Sequence, residues 1–213
     1  INFINRGIFL YYMASTGIFE KYFPTLSKVR VLEVLLRGKK GEYHASEIEK
    51  GSEVSHPRVH VVLAELVGEG VIKHPNPYSV YKLNPDEFLQ GMKEIYDDTP
   101  DAKPLVTYFK NITTRKILEF LLGAEELDYY TLSYITKKAD VSRSSPYRVI
   151  KHMLDEQILI ERTDNLVKSY ALNPEDKFLM ALKSRYREFK SKSEPFYNSK
   201  VWVMNNGGST ANL

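Results

Sequence analysis

Two stretches of the chain are near copies of each other. YFPTLSKVRVLEVLL spans Tyr22 to Leu36 and YFKNITTRKILEFLL spans Tyr108 to Leu122, an offset of 86 residues. A chain of 213 residues has room for one medium domain or two small ones, and an internal repeat of this length selects two. The repeat continues beyond its first helix. HASEIEKGSEVS (His44 to Ser55) aligns with TLSYITKKADVS (Thr131 to Ser142), matching Ser46 with Ser133, Ile48 with Ile135, Val54 with Val141 and Ser55 with Ser142.

The periodicity predicts the elements of each copy. Val31, Leu32, Val34 and Leu35, like Ile117, Leu118, Phe120 and Leu121, recur at helical spacing, and Ser27 and Thr113 just upstream are expected to cap the two helices. A short helix follows, with one buried aliphatic, Ile48 or Ile135. A tight turn is expected at Gly51 in one copy and at Ala139-Asp140 in the other. Val54 and Val141 then enter the core, and a serine opens a second helix whose buried stripe is Val59, Val62, Leu63, Leu66 in copy one and Val149, Ile150, Met153, Leu154 in copy two. Short β-branched runs, Val71-Ile72-Lys73 and Ile158-Leu159-Ile160, pair across turn segments with strands ending in Leu83-Asn84-Pro85 and Leu172-Asn173-Pro174, which predicts a β-hairpin in each copy. Phe88, Leu89, Met92, Ile95, Tyr96 and Phe178, Leu179, Leu182, Tyr186, Phe189 space out as amphipathic closing helices.

Helix, helix, turn, helix, hairpin, helix is the order of a winged helix domain. From His44 to Pro85 the chain resembles the MarR and ArsR-like winged helix-turn-helix transcription regulators, notably in HASEIEK, VSHPRVHVVLAEL and the GVIK strand. The expected fold is mainly α with small β-hairpins, an α+β arrangement of two tandem winged helix-turn-helix domains. The expected boundaries are an N-terminal extension over 1–18, a first domain over 19–98, a linker over 99–104 (within DDTPDAKP), a second domain over 105–192 and a flexible tail over 193–213. Met13-Ala14-Ser15 looks like a natural start, which would make Ile1 to Tyr12 upstream sequence.

The resemblance implies a double-stranded DNA-binding regulator of prokaryotic or archaeal type. In that family the second helix of the helix-turn-helix enters the major groove and the wing reaches a flanking phosphate or the minor groove. Charge separates the two copies. From Thr25 to Asp98 there are 10 Lys and Arg against 12 Asp and Glu; from Leu105 to Lys192 there are 16 against 12. In domain two the candidate DNA contacts are Ser142, Arg143, Ser144, Ser145, Tyr147, Arg148 and Lys151, with Arg162 and Lys168 at the wing. In domain one they are Ser55, His56, Arg58 and His60, with Lys73, His74 and Asn76 at the wing, interrupted by Val61 and Glu65. Pro146 leaves the second helix with two possible starts. Ser142 as cap puts the proline inside the first turn, whereas Ser145 as cap makes it the favoured first residue.

Several function classes find no support. Without cysteine there is no disulfide framework or thiolate metal site. No apolar stretch approaches the roughly 20 residues of a membrane helix, so no membrane partner and a cytoplasmic location are expected. His56 and His60 lie four apart, a metal-like spacing, but no further ligand is fixed and no cofactor is expected. No phosphate loop, nucleophile elbow or paired acids in an apolar frame appear, which argues against an enzyme. A homodimer is open. So is a second class of function, a protein-interaction module like the tandem winged helices of ESCRT-II subunits or chromosome-segregation accessory proteins, or else a plasmid or viral replication initiator. The negative balance of copy one and Val61 favour the interaction module; the basic helix of copy two favours DNA.

Overall fold

The computed structural model describes residues 17–76, 80–84, 86–124, 128–142 and 146–193. Within them each element of the first half has a counterpart in the second. The first half runs α1 (Ile18–Tyr22), α2 (Leu26–Arg37), β1 (Tyr43–His44), α3 (Ala45–Ser52), α4 (His56–Gly68), β2 (Ile72–Asn76), β3 (Val80–Leu83) and α5 (Glu87–Asp98). The second runs α6 (Leu105–Tyr108), α7 (Ile112–Gly123), β4 (Tyr130–Thr131), α8 (Leu132–Lys138), α9 (Pro146–Asp155), β5 (Leu159–Asp164), β6 (Val167–Leu172) and α10 (Lys177–Ser193). The protein is mainly helical, with two small three-stranded antiparallel sheets.

Both expected caps are displaced by two residues. Thr25 caps α2, its hydroxyl accepting from the Lys28 amide at 3.3 Å, and Asn111 caps α7, accepting from Thr114 at 2.9 Å. A capping side chain must sit on the extended residue before the helix, and Ser27 and Thr113 already lie inside the first turn. The tight turn is also not at Gly51, which lies within α3. The chain reverses at Glu53, with φ at 53°, matched by Asp140 at 48°. Gly51 serves packing instead, since a Cβ there would come within 3.0 Å of Val34 Cγ2 on α2.

The sheets have the orders β1-β3-β2 and β4-β6-β5, so a two-residue strand joins each expected hairpin. Their registers correspond, Tyr43 facing Tyr81 and Tyr130 facing Tyr170. The repeated Leu-Asn word has a structural reason. The Asn84 amide donates to Gly70 O at 2.7 Å and the Asn173 amide to Gln157 O at 2.9 Å, bracing the base of each hairpin.

The predicted stripes are the core. Val59, Val62, Leu63 and Leu66 are buried on α4, and Val149, Ile150 and Met153 on α9, with Leu154 partly covered. One apolar cluster runs through both halves. The junction is built by exchange: α1 packs on α7 of the second half, and α6 packs on α2 of the first. A carboxylate receives each short helix. Glu119 on α7 accepts from the Ile18 amide at 2.8 Å, and Glu33 on α2 accepts from the Leu105 amide. Tyr22 donates to Asp86 at 2.8 Å and Tyr108 to Asp176 at 2.9 Å, while Phe23 and Phe109 stack at 4.6 Å between ring centroids. The closing helices α5 and α10 lie against each other. Arg185 of α10 pairs with Glu94 of α5, and Lys183 is buried, donating to Leu121 O at 3.2 Å. Arg37 holds the connecting segment through Ala102 O and Lys103 O at 2.6 and 2.7 Å.

Candidate nucleic-acid interface

The buried stripes fix how α4 and α9 correspond. Val59, Val62, Leu63 and Leu66 superpose in sequence on the buried Pro146, Val149, Ile150 and Met153 at an offset of 87. At the same offset the outward residues differ in kind. His60 corresponds to Tyr147, Val61 to Arg148 and Ala64 to Lys151, all exposed, with Tyr147 at 71% and Val61 at 47%. Neither Arg148 nor Lys151 has an acidic partner within salt-bridge distance among the described residues. The second helix therefore presents unneutralised cations where the first presents aliphatic carbon.

What cationic character α4 has is largely cancelled. Arg58 lies 3.8 Å from Glu65, a carboxylate already shared with the buried Lys28 at 3.2 Å. The His56 ring faces Glu49 at 2.7 Å and lies edge-on to His60, with 4.6 Å between centroids. Ser55 occupies the cap position of α4 without a capping hydrogen bond from its side chain, and is exposed. On β2, Lys73 is exposed and His74 stacks on Tyr81 at 4.6 Å between ring centroids. The side chain of Asn76 lies outside the described residues, as do Arg143, Ser144 and Ser145, on which the choice between the two helix starts depends. Ser142 is exposed and precedes them.

The second hairpin brings Arg162 and Lys168 to opposite strands, but each meets an acid. Arg162 Nε lies 2.7 Å from Asp164 and Lys168 Nζ lies 2.8 Å from Glu161. The Glu161 hydrogen bond, and then its charge, raise the Lys168 ammonium above its usual range. The carboxylate beside each hairpin cation weakens its attraction for any external anion.

Other groups beside α9 were not foreseen. Lys137 and Lys138 are exposed on α8, with Lys138 Nζ 5.6 Å from the Tyr134 ring centroid. Tyr129 and Tyr134 are exposed in this half, as is the expected contact Tyr147. The one available signal was the polar KK pair ending the short helix, which spacing alone assigns to solvent.

No helix among the described residues is long and apolar enough to cross a membrane. No family model and no curated protein matches the chain. A crystal structure of the DIP2311 protein from Corynebacterium diphtheriae is similar over 68% of this chain and 26% of that one, at 14% identity and a TM-score of 0.24. The chain thus spans about a quarter of that protein's length, and a likeness this low defines neither fold nor function.

Proposed function

We propose that the protein binds double-stranded DNA as a transcription regulator, through two winged helix-turn-helix units paired within one chain, with the second unit supplying the grip. The order helix, strand, helix, helix, strand, strand in each half, with the short strand paired to the last, supports the winged helix reading. The observation that carries the DNA reading is the exposed, unneutralised pair Arg148 and Lys151 on α9, with Lys137 of α8 lining the same cavity as Tyr147. Cations at this density release counterions from a duplex, and phosphate contacts supply most of non-specific affinity.

The experiment is a salt titration of binding to mixed-sequence duplex. Engagement of three or four phosphates gives a log–log slope near −3, a loss of roughly 50-fold between 50 and 200 mM salt. Binding that is absent at low salt, or flat across that range, overturns the proposal. A second reading attaches to the first half alone. Val61, Ala64 and Val67 form an exposed apolar row on α4 beside neutralised charges, the chemistry of a protein contact rather than of a phosphate contact.

A further inference from the structure

The tip of the second hairpin is built against local preference. Asp164 pairs with Val167, so β5 and β6 are joined by a two-residue loop, Asn165-Leu166, with φ at 49° and 68°. Such loops favour asparagine and then glycine, because both central residues take left-handed backbone. Asn165 suits its place. Leu166 stands where glycine is preferred, in a conformation that crowds its Cβ against the following carbonyl. Its side chain is 97% exposed, so no packing within the chain compensates, and the neighbouring Val167 is also exposed. Strain held at a surface position without internal return points to a ligand.

The chemistry of the surroundings narrows the ligand. The arms of the hairpin carry Arg162 and Lys168, each satisfied by its own acid, which leaves the apolar tip as the least committed part of the element. The hairpin adjoins α9, on which its strand β5 packs. A duplex held by Arg148 and Lys151 therefore has this tip next to its adjoining groove. Resting on the DNA reading above, we infer that Leu166 is a wedge that enters the minor groove, partly unstacks one base step and bends the duplex. Apolar side chains inserted in this way kink DNA by roughly 20–90°.

The test uses the full chain and a mixed-sequence duplex of about 30 base pairs, long enough to register a bend, with a fluorescent dye at each end. Saturating wild-type protein at low salt is expected to raise energy transfer between the ends. Leu166→Gly relieves the backbone and removes the wedge. It should melt at the wild-type temperature or above, bind within about tenfold of wild type, and lose most of the rise, whereas Leu166→Met, which keeps an apolar tip, retains it. Three results overturn the inference: a wild-type complex with no rise, a Leu166→Gly complex that bends DNA fully, or a Leu166→Gly protein that melts several degrees lower. The second of these shows that the bend does not come from Leu166, and the third makes the tip structural. Absence of wild-type binding would instead defeat the DNA reading itself, and the wedge with it.

Discussion

Helices α4 and α9 bury the same stripe and expose opposite chemistries. Val62, Leu63 and Leu66 do for the first half what Val149, Ile150 and Met153 do for the second, yet Val61 and Ala64 give way outward to Arg148 and Lys151. The difference teaches that the core fixes only one side of such a helix. Burial of an aliphatic side chain is worth about 1.5–3 kcal/mol and constrains its position strongly, while an exposed position changes at little cost to stability. The outward row is therefore where the halves differ in chemistry.

The largest expected effect tests what the halves share. Phe23→Ala or Phe109→Ala removes half of the ring stack at the junction and should cost about 3–5 kcal/mol, read as a fall in melting temperature. Because one core spans both halves, each substitution should lower a single transition common to them. Two transitions, with only one displaced, would break the picture of a shared core.

Next comes the contrast in the outward rows. Arg148→Ala should weaken binding to duplex by about tenfold at low salt and flatten the salt slope by nearly one. Arg58→Ala should change affinity less than about threefold, because its guanidinium already faces Glu65. Equal losses in the two variants would erase the distinction between the halves.

The smallest effect concerns the carboxylates at the crossing. Burial, the dominant influence, raises both Glu33 and Glu119 above the usual carboxylate range, against lowering by hydrogen bonds from the Leu105 and Ile18 amides. A folded-state value above the unfolded one makes stability greatest below the unfolded value, near pH 4.5, and it declines as pH rises through the raised values. Glu33→Gln with Glu119→Gln should remove that decline, giving the variant its largest relative gain in melting temperature at neutral pH and none near pH 4. A gain that grew toward acid would reverse the assigned sign.

What was legible in the sequence followed periodicity. The stripes of α4 and α9 and the closing helices could be placed because helical spacing repeats within a few turns. The third strands could not, since Tyr43–His44 and Tyr130–Thr131 are too short to show any period. The caps at Thr25 and Asn111 were missed in favour of Ser27 and Thr113 because several polar residues precede each helix, and only backbone geometry distinguishes the extended one. A glycine in sequence suggested a turn at Gly51, whereas its role is close approach to Val34. Of the candidate site, the cationic row of α9 was visible. The neutralisation of Arg162, Lys168 and Arg58 was not, because it depends on hairpin register and on side chains converging from different elements. The exchange of α1 and α6 was equally hidden, as a repeat reveals likeness without saying onto which copy a segment docks.

That exchange has a consequence for how the molecule changes over time. In a pair of identical chains, symmetry writes every substitution twice, so a loss on one surface is a loss on both. Here the crossed short helices bind two unequal copies encoded in one gene, and a mutation strikes one copy while the other keeps its trade. A shared core beneath two surfaces that can differ is what such a repeat within one chain makes available.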